Sequence, residues 1–209
     1  MRETEKSRSG EYIELEQEYC ARNYEPLKVV VSRAEGIYAW DADGRKYIDM
    51  LSAYSALSLG HCHPKITLAL TEQASKLTLT SRAFYNDRMG VFLKKLCDVT
   101  GFRCALPMNT GAEAVETALK MMRRWACDVK GVPEDRARII AASNNFHGRT
   151  IAIIGMSTSA ESRRGFGPFT PCMDIVPFDD ARAIEEAITD DTAGVLLEPI
   201  QGEGGVVTP

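Results

Sequence analysis

The chain has 209 residues, 44% hydrophobic and 26% charged, a balance that suits a globular fold and excludes a disordered one. Its net charge is -4, and its basic residues cluster only in short pairs such as Arg123-Arg124 and Arg163-Arg164. This excludes the footprint of a nucleic-acid binder or of a protein held on an anionic membrane. Six widely spaced cysteines (Cys20, Cys62, Cys97, Cys104, Cys127 and Cys172) form no C-x-x-C pair, which argues against a zinc site or a disulfide framework and for free thiols in a reducing compartment.

The first twenty residues, MRETEKSRSGEYIELEQEYC, lack an apolar h-region and are too acidic for a transit peptide. No run approaches the roughly 18 to 20 apolar residues of a membrane span, so a cytoplasmic location is expected. A helical pattern covers Tyr12 to Cys20. Three β-leaning stretches follow, Leu27 to Ser32, Ile37 to Trp40 and Tyr47 to Leu51, with a hairpin signal at Asp43-Gly44. Residues 1–54 therefore read as an N-terminal segment with a small antiparallel element.

From residue 55 to 209 the texture alternates. Helices are expected over Pro64 to Leu77, Asp87 to Val99, Ala112 to Cys127, around Thr150, and over Asp179 to Ile188. Strands are expected over Arg103 to Met108, Arg138 to Ala142, Asp174 to Val176, and Ala193 to Glu198. Alternation of this length predicts an α/β domain with a mostly parallel sheet. The last strand closes the chain without a following helix, so the domain reads as incomplete, with apolar sheet surface left to cover.

Three stretches sit where these strands end. In MNTGAEAVETALKMM, Thr110 and Glu113 have capping-box spacing, and Val115, Ala118, Leu119, Met122 and Ala126 make one apolar face. The N–H groups of Gly111 and Ala112 then point, with the helix dipole, toward a bound anion such as phosphate; a capped turn with nothing bound would look alike. NNFHGRT supplies a ring in Phe146, an imidazole in His147, a permissive Gly148 and a guanidinium in Arg149, which suits a planar cofactor and a carboxylate. EPIQGEGG places Glu198 and Glu203 about a glycine-rich strand end, either as site acids or as solvated ones.

LGHCHPK brings His61, Cys62 and His63 together, but adjacent side chains diverge and Pro64 reads as a first helical residue. A loop-to-helix junction therefore fits better than a metal site. Tyr24, Tyr54 and Tyr85 flank turn signals and are candidate ligand contacts.

Taken in order, GIYAWDADGRKYIDMLSAYSALSLGHCHPKI, LTLTSRAFYND, LPMNTGAEAVETALK, NNFHGRT, GFGPF and LLEPIQGEGGV resemble the N-terminal half of the class-III, fold-type-I pyridoxal-phosphate aminotransferases. Within them TSRAFYN, NTGAEAVETALK and RNYEPLKV are more similar to the ornithine-using enzymes than to those using acetylornithine or 4-aminobutyrate. The resemblance implies transfer of the δ-amino group of L-ornithine to 2-oxoglutarate, in a homodimer or higher homo-oligomer. Gly111 and Ala112 would bind the phosphate of pyridoxal 5'-phosphate, Phe146 would stack on its ring with His147 beside it, and Glu198 would lie on the cofactor side. Tyr24 and Arg149 would hold the substrate carboxylate, Tyr54 and Tyr85 would line the pocket, and Glu203 would gate it. The Schiff-base lysine and the aspartate on the pyridinium nitrogen would lie beyond the segment matching Pro209. Lys6, Lys28, Lys46, Lys65, Lys76, Lys94, Lys95, Lys120 and Lys130 match no such position. The expectation is a chain without its catalytic lysine, inactive alone.

Overall fold

The computed structural model describes residues 7–209, which fall into two compact units divided between Val91 and Phe92. The change of texture near residue 55 lies inside the first unit.

The first unit opens with helix α1, Arg8–Tyr19, whose start is capped by Ser7 Oγ accepting from Gly10 N at 3.1 Å. A three-stranded antiparallel sheet follows, β1 (Val31–Glu35), β2 (Tyr38–Asp41) and β3 (Lys46–Ile48), in the order β1-β2-β3. One buried carboxylate organises the β2–β3 turn. Asp41 accepts from Asp43 N at 3.0 Å, Arg45 N at 2.8 Å and the Tyr47 hydroxyl at 2.7 Å. Gly44 supplies the positive φ that the turn needs, as the Asp43-Gly44 signal anticipates. The Tyr47 hydroxyl above all, with the two backbone donors, holds the Asp41 carboxyl below its ordinary pKa, and burial opposes them.

After β3 the chain makes a short helical turn, α2 (Ser52–Ser55), that is left-handed throughout, with φ of 51°, 50°, 54° and 69° at Ser52, Ala53, Tyr54 and Ser55. Left-handed backbone costs an L-residue about 1–2 kcal/mol, so the turn depends on its surroundings. Two bonds tie the next stretch back to the sheet, Gly36 N to His61 O at 2.9 Å and His61 N to Gly36 O at 2.8 Å. At Gly60, φ +78°, a Cβ would lie 2.9 Å from Gly36 O, so only glycine lets these backbones meet. Helix α3, Pro64–Ala74, starts with Pro at its first position, as expected. Helix α4, Met89–Thr100, spans the division between the units.

In the second unit, helix α5 (Gly111–Trp125) runs on into a π-helical turn, Ala126–Lys130, before strand β4 (Arg138–Ala142). Then come α6 (Ile151–Ile154), α7 (Ala160–Arg163), β5 (Met173–Val176), α8 (Ala181–Ala187) and β6 (Thr192–Leu196). The three strands form a parallel sheet in the order β5-β4-β6. The central strand is sealed on both faces, Ile139, Ile140 and Ala141 being wholly buried. Leu119, Ala126, Val132, Met156 and Ala193 complete this core, with Val115 and Met122 of the expected helix face packed against it. At Gly194 of β6 a Cβ would overlap the Met122 thioether, so this glycine sets how closely α5 lies on the sheet.

One expected strand is corrected. Residues 103–108 form no strand; the run is apolar and largely exposed, but none of its residues pairs with a neighbouring chain segment, and pairing is what a strand requires.

Two outcomes follow. Asp41→Asn lowers the thermal midpoint at pH 7. A depressed carboxyl pKa contributes stability above the ordinary value of about 3.9 and loses it as pH falls through the folded value, so wild-type and variant melting curves should converge as pH falls below the ordinary carboxylate range. Gly194→Ala forces Met122 aside and costs about 1–3 kcal/mol in a denaturant titration; an unchanged midpoint would show that this contact does not set the packing.

Candidate functional site

Sealing β4 on both faces leaves function to the loops at its carboxyl edge, where β4, β5 and β6 all end. The first loop, 143–150, starts with Ser143 N donating to Val176 O at 2.7 Å. Asn144 takes a left-handed φ of 58° and its N–H donates to Thr158 Oγ1 at 2.9 Å. Asn145 turns inward, its Nδ2 donating to Ala142 O at 2.6 Å and Met156 O at 2.8 Å. The loop is therefore pinned before it reaches Phe146.

Glu198, at the end of β6, joins the second loop to the first, its carboxylate accepting from Phe146 N at 3.1 Å. Gln201, 2% exposed, does the same three residues further on, with Nε2 donating to Ser143 O at 2.8 Å. Gln201 and Val207 exchange backbone hydrogen bonds of 2.9 Å each, closing the loop that carries Glu203. Gly204 lies against Asn144 O, where a Cβ would come within 3.4 Å.

The helix start completes the edge. Thr110 Oγ1 accepts from Glu113 N at 3.1 Å, and the Glu113 carboxylate accepts from Asn109 N at 2.9 Å, so the capping box forms with its acid reaching one residue beyond the cap. Gly111 N and Ala112 N have no partner among the described residues, and the space over Gly111 is open to 4 Å. Gly148, φ +126°, abuts this end: a Cβ there would lie 3.3 Å from Ala112 Cβ. Thr150 Oγ1 also bonds the Glu116 carboxylate of α5. Loop and helix start are thus one assembly.

Within it, Phe146 is 43% exposed, with the Arg149 guanidinium 5.7 Å from its ring centroid. Arg149 is exposed, and neither it nor Glu203 forms an ion pair among the described residues. His147 Nε2 is buried without a hydrogen-bond partner. Burial holds the His147 pKa below its ordinary value, against the opposing pull of Glu198, so the ring is neutral at neutral pH. Two unpaired helix N–H groups, open space above them, an available ring and an orphaned imidazole nitrogen fit a flat, phosphorylated cofactor. Of the predicted residues, Gly111, Ala112, Phe146, His147, Arg149, Glu198 and Glu203 share this edge. Gln201 and Asn145, which hold it together, escape a sequence reading because their signal is burial.

In the first unit, Tyr24 and Tyr54 meet hydroxyl to hydroxyl at 2.5 Å, and Tyr85 is fully exposed. The His61 ring is engaged by Asp49, Nε2 to Oδ2 at 2.6 Å. A cleft of about 780 Å³ lined by Lys120, Arg124, Cys127 and Cys172 lies at the opposite, amino-terminal edge of β4 and holds none of the predicted site residues.

This chain is similar to known proteins over nearly its whole length. An ornithine aminotransferase from Brevibacillus brevis is 57% identical over 203 residues, 97% of this chain and 51% of that protein. An ornithine aminotransferase structure from Toxoplasma gondii superposes with a TM-score of 0.92 at 44% identity, covering 96% of this chain and 48% of that one. An acetylornithine aminotransferase from Elizabethkingia anophelis gives 0.80 at 46%, covering 96% and 47%. The chain spans about half the length of the curated relatives it matches. No helix among the described residues is long and apolar enough to cross a membrane. Residues 19–209 match the family aminotransferase class-III, and the chain belongs to that family of pyridoxal-phosphate-dependent, fold-type-I transferases.

Proposed function

We propose that this chain supplies the cofactor cradle and substrate clamps of a cytoplasmic, homodimeric ornithine δ-aminotransferase, which moves the δ-amino group of L-ornithine to 2-oxoglutarate and releases glutamate 5-semialdehyde and glutamate. The observation that carries this reading is the single assembly of the α5 N-terminus with the 143–150 loop, joined at Gly148 and Thr150. Bound pyridoxal phosphate supplies the carbonyl that exchanges with the amino group and the electron sink for the proton transfers.

The chain's own residues divide the remaining work. Gly111 N and Ala112 N donate to the phosphate at the positive end of the α5 dipole. Phe146 covers the ring, and its own N–H is fixed by Glu198, so the acid orients the stacking residue. Neutral His147 offers Nε2 to the cofactor side. The Tyr24 hydroxyl, which meets that of the pocket-lining Tyr54, and the Arg149 guanidinium are each offered to the α-carboxylate of ornithine, leaving the δ-amino group for the cofactor. Tyr85 lines the pocket, and Glu203, on its closed loop, is the acid that gates between amino donor and acceptor. Large apolar side chains left almost fully exposed, such as Leu27, Met50 and Leu79, support burial in a dimer.

A second reading, an acetylornithine or other ω-amino acid aminotransferase, is favoured by the 46% identity to the Elizabethkingia enzyme. Tyr24→Phe in a full-length enzyme carrying this segment separates the two. Ornithine use should fall while 2-oxoglutarate use holds, whereas unchanged ornithine use would remove the main support for that substrate.

Two lysines of the second unit are placed away from the carboxyl edge of its sheet: Lys130 Nζ is bonded to Thr192 O at 2.9 Å, at the start of β6, and Lys120 lines the cleft at the far edge. The purified 209-residue chain should therefore bind the cofactor without covalent attachment at a single lysine and produce no glutamate semialdehyde; ornithine-dependent product would overturn this. Gly111→Pro tests the cradle. Proline is compatible with a first helical position and with the extended Thr110 before it, and it removes one donor. One hydrogen bond to a charged group is worth about 1.5–3 kcal/mol, so cofactor affinity read by fluorescence quenching should fall about ten- to a hundred-fold.

A further inference from the structure

The histidine-containing stretch before α3 acquires a role from its neighbours. Asp49, the residue after β3, is held by its own N–H donating to Ile37 O at 2.9 Å. Its carboxylate is used at both oxygens. Oδ1 accepts from Leu51 N and Ser52 N, each at 2.9 Å, and Oδ2 meets His61 Nε2 at 2.6 Å. Both groups are only about a fifth exposed, 19% for the Asp49 side chain and 23% for that of His61. His61 is itself locked to the sheet through its paired backbone bonds with Gly36. Asp49 therefore grips the entrance of the left-handed turn Ser52–Ser55 with one oxygen and a fixed imidazole with the other. That turn carries Tyr54, whose hydroxyl lies 2.5 Å from that of Tyr24. The two tyrosines are thirty positions apart in the chain, and both are more than half exposed.

We propose that Asp49 and His61 are a positioning pair for the Tyr24–Tyr54 hydroxyl contact, and through it for the substrate carboxylate. The turn they stabilise consists of four consecutive non-glycine residues in the left-handed region, which relax to right-handed or extended backbone unless both entrance N–H groups stay bound. Loss of the carboxylate swings Tyr54 away from Tyr24. Removing the imidazole frees Oδ2 and loosens the carboxylate without taking away its Oδ1 bonds, so its effect is the smaller of the two. The substrate part of this proposal rests on Tyr24 and Tyr54 serving as the carboxylate clamp.

The test is NMR of the 209-residue chain labelled with ring-¹³C tyrosine, its signals assigned by Tyr24→Phe, Tyr54→Phe and Tyr47→Phe. Asp49→Ala, which removes the acceptor of both entrance N–H groups, should displace the Tyr24 and Tyr54 signals toward free tyrosine while leaving Tyr47, which reports the separate Asp41 turn. His61→Ala should give a smaller displacement of the same two signals, and His61→Gln, which keeps a donor toward Oδ2, should restore them. Should Asp49→Ala also disperse the Tyr47 signal, the variant has unfolded more widely and the two His61 variants decide the matter. Unmoved Tyr24 and Tyr54 signals in His61→Ala and in a folded Asp49→Ala, or a His61→Gln spectrum matching His61→Ala, would overturn the positioning role. Adding ornithine separates the two layers. Shifts confined to Tyr24 and Tyr54 in the wild type, lost in Asp49→Ala, support both. No ornithine-dependent shift in the wild type removes the clamp reading and the substrate part of the proposal.

Discussion

Everything at the candidate site hangs on the burial of one short strand. Residues 139–142 of β4 lie between two parallel neighbours with both faces covered, so their polar backbone groups are satisfied by the ladder and their side chains by apolar contact. A segment so enclosed has one place to become polar, its carboxyl end. There Ser143 borrows the carbonyl of Val176, Asn145 returns an amide to Ala142, and Gln201 caps Ser143. These bonds fix the direction in which Phe146, His147 and Arg149 leave the sheet. The chemistry-bearing residues are placed by groups that have no chemistry of their own.

The same logic explains why a helix start belongs to the site. Helix α5 is pressed on the sheet by Val115, Leu119 and Met122, and Gly194 permits the close approach. Its axis is thereby set, and its amino end arrives beside Gly148 with two donors unspent. Glycine recurs at the contact points for opposite reasons. At Gly148 and Gly194 a side chain would press on a neighbour, whereas at Gly111 nothing lies within 4 Å of where a Cβ would stand.

Much of this was legible in the sequence because it follows from local rules. The capping box at Thr110, the apolar face of α5, the Asp43-Gly44 turn and the β4 strand are all specified within a few residues. The strand expected over residues 103–108 failed because strand formation is decided by a partner, which an apolar run cannot reveal. The left-handed turn at Ser52–Ser55 was invisible for a related reason: no glycine marks it, and the carboxylate and imidazole that sustain it come from either side. Gln201 and Asn145 read as ordinary polar loop residues until their burial is known. The resemblance to a family assigned roles to site residues, but it could not say what holds them still.

The closed loop between Gln201 and Val207 has a consequence for Glu203. With a hydrogen bond in each direction at its neck, the segment is a small ring anchored through the Gln201 amide to the Phe146 loop. An acid on such a ring has few independent backbone motions. Its carboxylate can change rotamer, but displacing its Cα means moving the whole ring or breaking the neck. The acid is therefore placed to answer in discrete steps, and whatever disturbs the Phe146 loop is felt by it as well.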